Sequence, residues 1–218
     1  MILSEKTIKI LQNFSSINQG MLFRKGNEVR SFSPQKTIMA KAVVDVTFDR
    51  EFSIFDLPRF LGVLSLFNSP EIILGDSSAT IVADNQKLVY VYADASTFVT
   101  PPAKDASFPI AEATFNLKAD DLNKVKRAGL VMKLPEIAIA GDGETITMRA
   151  VDMKNPTADT FSVEVGKTDR TFNAVFRNEY FVMLPGDYEV SLSSKGISKF
   201  ESSNLTYWIA IEANSTWQ

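Results

Sequence analysis

Apolar residues recur along this chain at two alternating periods, and the alternation runs in the same order twice. Near the start, Ile8, Leu11 and Phe14 repeat every three residues, with Lys6, Lys9 and Asn13 on the other side and Ser4 placed to cap. This spacing predicts an amphipathic helix over 4–17. The strand-like runs "GMLFRKG" and "TIMAKAVVDVTF" follow. In "DLPRFLGVLSLF" (56–67), Leu57, Phe60, Leu61 and Leu64 then share a face opposite Arg59 and Gly62, and Pro58 suits a first helical turn. After this second helix comes the alternating run "EIILGDSSATIVADNQKLVYVYA".

The second half repeats the plan. Leu122, Val125, Gly129 and Met132 form the stripe of a helix over 118–133, with Lys124 and Arg127 on the opposite face and Lys126 on its flank. "EIAIAGDGETITMRAV" reads as two strands around a Gly-Asp-Gly turn at 141–143, and "TFSVEVG" as a third strand. A further helix is expected over "RNEYFVML" (177–184), stopped by Pro185-Gly186 and followed by more alternating sequence. Between the halves, "TFVTPPAKDASFP" carries three prolines and neither period, which predicts a linker. The expected fold is α+β: two similar domains, 1–96 and 111–218, each with two helices packed on antiparallel sheet, joined by 97–110.

With 45% apolar residues among 218, the chain can bury a core. It contains no cysteine and no histidine, which removes disulfides, thiolate and Ser-His-Asp nucleophiles and most zinc chemistry. Glu5, Lys6 and Lys9 interrupt the first apolar stretch, unlike a signal peptide, and no window is apolar enough for a membrane span. A cytoplasmic protein is expected. Asp120 and Asp121 are the one candidate magnesium pair, but neighbours on a helix diverge by about 100°, and acids at a helix start favour the dipole. "GDG" lacks the Lys-Ser/Thr of a phosphate loop. No catalytic residue, metal or cofactor is predicted, and the chain is not expected to be an enzyme.

Charge changes the picture. The chain carries 23 Lys plus Arg against 26 Asp plus Glu. Yet the four helical windows hold nine basic residues (Lys6, Lys9, Arg59, Lys118, Lys124, Lys126, Arg127, Lys133, Arg177) against five acidic ones. The helices are net +4 and the remainder −7. A lysine-rich face on one helix is ordinarily only solvated, but sorting across four windows points to an anionic partner.

"NFSSINQGMLFRKGN", "DLPRFLGVLSLF", "PGDYEVSLSSKG" with "KFE", and "YWIAIEANST" are similar, in order, to stretches of the sliding clamps of T-even-type bacteriophages, the DNA polymerase processivity factors. The resemblance spans about residues 1–216. It implies a DNA-clamp fold and a homotrimeric ring around double-stranded DNA, with the nine basic residues facing phosphates without sequence preference. It implies ring edges at "KLVYVYA" (Lys87, Val89, Tyr90, Tyr92) and "TFSVEV" (Phe161, Val163, Val165), although the tyrosines also suit an ordinary sheet face. It places a partner-peptide pocket near Phe98, Val99, Pro101, Pro102, Ile209 and Ile211, with Phe98 alternatively anchoring the linker to the first core. The implied partners are a DNA polymerase, an ATP-dependent clamp loader and late-transcription factors, in the cytoplasm of an infected bacterium. A virion structural protein such as a tail-tube component would also be β-rich and cysteine-free, but would not need basic helices in an acidic chain.

Overall fold

A computed structural model describes residues 1–105, 107–155 and 157–218, so Ala106 of the expected linker lies outside the described residues. The chain divides into two compact units, 1–105 and 106–218.

The first unit begins with α1 (Glu5–Ile17). Ser4 caps it, its hydroxyl accepting from the Thr7 N–H at 3.1 Å. The buried stripe is Thr7, Ile10, Leu11, Phe14 and Ile17, which leaves Ile8 at its margin. The helix packs on β2 (Gly26–Phe32) and β3 (Ile38–Phe48), an antiparallel pair, after the short β1 (Met21–Phe23). Next come β4 (Phe52–Ile54), paired with β1, and α2 (Leu57–Leu64), which lies against α1. Asp56 caps α2 and accepts from the Arg59 N–H at 2.9 Å. A meander of β5 (Glu71–Leu74), β6 (Ser78–Ala83) and β7 (Gln86–Val91) completes the unit. Its core is aromatic: Phe23 stacks on Phe52 at 4.6 Å, and Phe48 and Tyr92 flank Phe52 at 5.7 and 5.2 Å.

The second unit holds β8 (Ala113–Leu117), α3 (Ala119–Val131), the hairpin β9 (Glu136–Asp142) and β10 (Thr145–Val151), β11 (Phe161–Lys167) and β12 (Thr171–Arg177). It continues through β13 (Tyr188–Ser193), β14 (Ile197–Glu201), β15 (Leu205–Ala210) and β16 (Thr216–Trp217). One sheet has the order β11-β10-β9-β12-β16 and carries α3 across β9, β10 and β11. The other aligns β15, β14, β13 and β8. The hairpin turn falls at Gly143–Glu144, slightly later than expected, because the Asp142 carboxylate accepts from the Glu144 and Thr145 N–H groups.

The internal repeat is visible in the ladders. β8 pairs with β13, and in the first unit Met1 and Ile72 exchange two backbone hydrogen bonds of 2.7 Å at the corresponding place. β9 pairs with both β10 and β12, work that the first unit divides between β2 (with β3) and β1 (with β4).

The second helix expected in this unit does not form. Residues 178–180 make one 3-10 turn and 181–184 run irregularly. Phe181 and Met183 are buried while Val182 and Leu184 are half-exposed, an alternation of two that suits extended chain better than helix. The backbone groups of Leu184 are taken by tyrosines: its N–H donates to the Tyr207 hydroxyl at 3.1 Å, and its carbonyl accepts from the Tyr188 hydroxyl at 2.5 Å. The 3-10 turn also needs Gly129 below it, where an added Cβ would lie 2.6 Å from Asn178 Nδ2.

Candidate nucleic-acid interface

The nine basic residues fall into three groups. Lys6 and Lys9 are exposed on α1, Lys6 at the margin of the buried stripe and Lys9 further round the helix, and Arg59 is exposed on the neighbouring α2. Arg127 is exposed on α3. Among the described residues none of these four has a carboxylate within ion-pair distance of its side chain. Asp45 lies close enough to Lys6 for the charge to help hold that carboxyl below its usual range, after the larger effects of the Ser4 and Thr7 hydroxyls.

A second group is paired. Lys124 Nζ lies 2.6 Å from Asp120 and 3.8 Å from Asp121, one turn earlier on α3. Lys118 lies 2.8 Å from Asp187, which also accepts from the Ala119 N–H at 2.9 Å. Asp187 therefore caps α3 from a distant part of the chain and cancels the poor placement of a lysine at a helix N-terminus. Arg177 ends β12 instead of starting a helix, and its guanidinium sits 3.6 Å from Glu179 and 3.5 Å from Glu212.

Two residues have special settings. Lys126 is half-buried, and desolvation pulls its ammonium below the usual lysine range. It lines a groove of roughly 890 Å³ with Leu130, Lys154, Arg177, Phe181 and Glu212. Lys154 is a cation that the reading of helical windows missed, because it follows a strand. Lys133 has φ 55° and follows α3, where the N–H of Leu134 returns to the Gly129 carbonyl at 2.8 Å. It occupies the left-handed position that ends a helix, a place glycine ordinarily takes.

Both expected edge strands are outermost in their sheets: β7 pairs only with β6, and β11 only with β10, among the described residues. On β7, Lys87 and Val89 are exposed. Tyr90 and Tyr92 turn inward, Tyr90 edge-on to Phe60 at 5.0 Å and Tyr92 beside Phe52. On β11, Phe161 and Val163 stand opposite the buried Ala150 and Met148, and with Val165 they are half-buried between exposed Ser162 and Glu164.

The pocket residues fare differently. Ile209 and Ile211 are 0% and 8% exposed, core positions that offer no docking surface. Residues 98–105 strap onto the first unit. Gly20 is bare enough for the Phe98 ring to lie where a Cβ would be, within 2.3 Å, so Phe98 anchors the linker. Asn18 Nδ2 donates to the Val99 carbonyl at 3.0 Å, Arg24 to that of Pro101 at 2.9 Å, and Arg30 to that of Pro102 at 3.2 Å. Arg30 and Lys41 both grip Asp105, Arg30 at 2.8 Å. Pro101 is buried, leaving Pro102 exposed.

Among the described residues no group of acids could hold a metal ion, and no helix is long and apolar enough to cross a membrane. Two α+β units, each with helix packed on antiparallel sheet and with an outermost strand left open, have the arrangement of a DNA-clamp fold. An archaeal clamp solved as "C-terminal region of FEN-1 bound to A. fulgidus PCNA" has that fold, with a TM-score of 0.72 at 16% identity, covering 99% of this chain and 98% of that one. Residues 4–97 match the family described as DNA polymerase processivity factor, and residues 114–213 match gp45 sliding clamp, C terminal. The chain is 34% identical to the sliding clamp of Vibrio phage KVP40, over 98% of this chain and all of that protein, and 31% identical to that of Enterobacteria phage T4, over 99% of each. It belongs to the phage sliding clamps, the DNA polymerase processivity factors.

Proposed function

We propose that three copies close into a ring around duplex DNA and hold a replicative polymerase on its template. The observation that carries this reading is the set of exposed, unpaired cations Lys6, Lys9, Arg59 and Arg127, all on helices of an acidic chain. Such a lining attracts phosphates without reading bases, which suits a ring that must slide, while an acidic remainder discourages binding from outside. Open edges at β7 and β11 favour closure by pairing β7 of one copy with β11 of the next, which removes an aggregation liability. In this reading 1–96 and 111–218 are the two clamp domains, joined by 97–110.

The role is topological. A tethered polymerase rebinds before it diffuses away, an effective-concentration effect that needs no catalytic residue, metal or cofactor in this chain. An ATP-dependent loader opens the ring, late-transcription factors use the loaded clamp, and the work takes place in the cytoplasm of the infected bacterium. Native mass spectrometry across a dilution series tests the assembly: the expected species has three times the 24.2 kDa chain mass. Lys9→Glu with Arg127→Glu should preserve that species yet shorten its retention on circular DNA. A strict monomer at every concentration, or unchanged retention, would overturn the reading.

A further inference from the structure

The pairing within α3 has a consequence for sliding. Lys124 faces outward between Val125 and Asn123, but its ammonium is shared by Asp120 at 2.6 Å and Asp121 at 3.8 Å. Acid one turn before lysine is the favourable order on a helix, and both acids stand in the first turn, where the dipole also favours them. The arrangement therefore persists without DNA. Arg127, one turn further along, has no such carboxylate among the described residues, so of the two exposed cations on α3 one is committed to the helix and one is left open, with Lys126 half-buried beside them.

We infer that Asp120 and Asp121 are resident competitors of DNA phosphate for Lys124 and set how strongly α3 grips the duplex. Exposed ion pairs of this kind are weak, so a phosphate can take the lysine, but only by displacing a carboxylate. Each capture releases fewer counterions than capture by a free cation, so the ring pays out and recovers Lys124 contacts at small cost as it moves. The carboxylates act through Lys124 and do not touch DNA, which makes them positioning residues. This inference rests on the proposal that α3 faces the duplex.

The test is single-molecule diffusion of the loaded clamp on duplex DNA at several salt concentrations. Asp120→Asn with Asp121→Asn should slow diffusion by about two-fold per freed lysine, up to roughly eight-fold for three copies, and steepen its salt dependence. In a Lys124→Gln background the same Asn changes should have a clearly smaller effect, only that of removing two negative charges, a coupling that a loss of helix stability would not produce. Equal effects with and without Lys124, or no effect in either, would overturn the inference. Lys9→Gln with Arg127→Gln separates the two levels. If it speeds diffusion while the Asn variant leaves diffusion unchanged, only the competition fails. If it too changes nothing, the DNA-facing assignment fails with it.

Discussion

Replacing Arg30 by methionine should unfasten the strap of residues 98–105 without disturbing the sheet beneath it. Arg30 is only 8% exposed, and its guanidinium donates to Glu28 at 2.6 Å, to Asp105 at 2.8 Å and to the Pro102 carbonyl at 3.2 Å. Methionine keeps the apolar stem and removes all three bonds. Hydrogen bonds to charged groups are worth about 1.5–3 kcal/mol each. The two carboxylates are 42% and 40% exposed, however, so water replaces much of what they lose, and Lys41 still holds Asp105. We expect a net loss of about 1–2 kcal/mol, which raises the open population of the strap roughly 5- to 30-fold. Trypsin reads this directly, because Lys104 lies within the strap and native-state cleavage tracks the open population. Cleavage after Lys104 should accelerate by that factor. The pH dependence has a fixed sign. The Lys41 bond, then the Arg30 charge, hold the Asp105 carboxyl below the usual range against an opposing effect of burial. Its contribution is present above the unfolded pKa of about 3.9 and is lost as pH falls through the lower folded value. Read by amide hydrogen exchange, since trypsin does not cleave in acid, wild-type protection should hold at pH 5 and fade only below about pH 4. A folded Arg30→Met protein cleaved at the wild-type rate would show that Arg30 does not hold the strap.

Three further outcomes follow from local geometry. Gly129→Ala puts a Cβ 2.6 Å from Asn178 Nδ2 and should cost about 1–3 kcal/mol in urea unfolding, partly restored by adding Asn178→Ala. Lys133→Gly relieves a lysine at φ 55° and should stabilise by about 0.5–1 kcal/mol, with a raised Tm and an unchanged far-UV spectrum. Burial pushes the Tyr207 hydroxyl up to about 12 and that of Tyr188 higher still. Because the folded state keeps these protons longer, stability should be constant to about pH 10 and fall above it, and Tyr207→Phe should flatten that fall in a pH series of melts.

How far the sequence foretold these features depended on the range over which each is decided. α1 and α3 were legible because a stripe such as Leu122, Val125 and Gly129 is written within one helix, as is the hairpin at Asp142 and Gly143. The segment 177–184 was misread because its conformation is decided elsewhere, by the Tyr207 hydroxyl and by the space above Gly129. Local content suggested helix, and tertiary partners overrode it. The open ends of β7 and β11 came from likeness to the phage clamps and from no local rule, since alternation such as that of Phe161, Val163 and Val165 does not say which strand is outermost.

The charged surface divides in the same way, and the division bears on function. Counting along the sequence found nine cations but could not find Asp187, which neutralises Lys118 from 69 residues away, or Glu212 beside Arg177. It could have found Asp120, one turn before Lys124, since that pair obeys a spacing rule. Six of the nine have no carboxylate at ion-pair distance among the described residues; four of these, Lys6, Lys9, Arg59 and Arg127, are exposed on helices, fewer than the count suggested, three in the first unit and one in the second. Spread is what a sliding ring requires. A single dense patch would dock at one place on the duplex and release many counterions there, whereas one or two open cations on each of several helices would attract the backbone without fixing it at one place. If these cations face the duplex as proposed, the pairing of Lys124, Lys118 and Arg177 favours diffuse attraction over tight binding, the balance on which sliding depends.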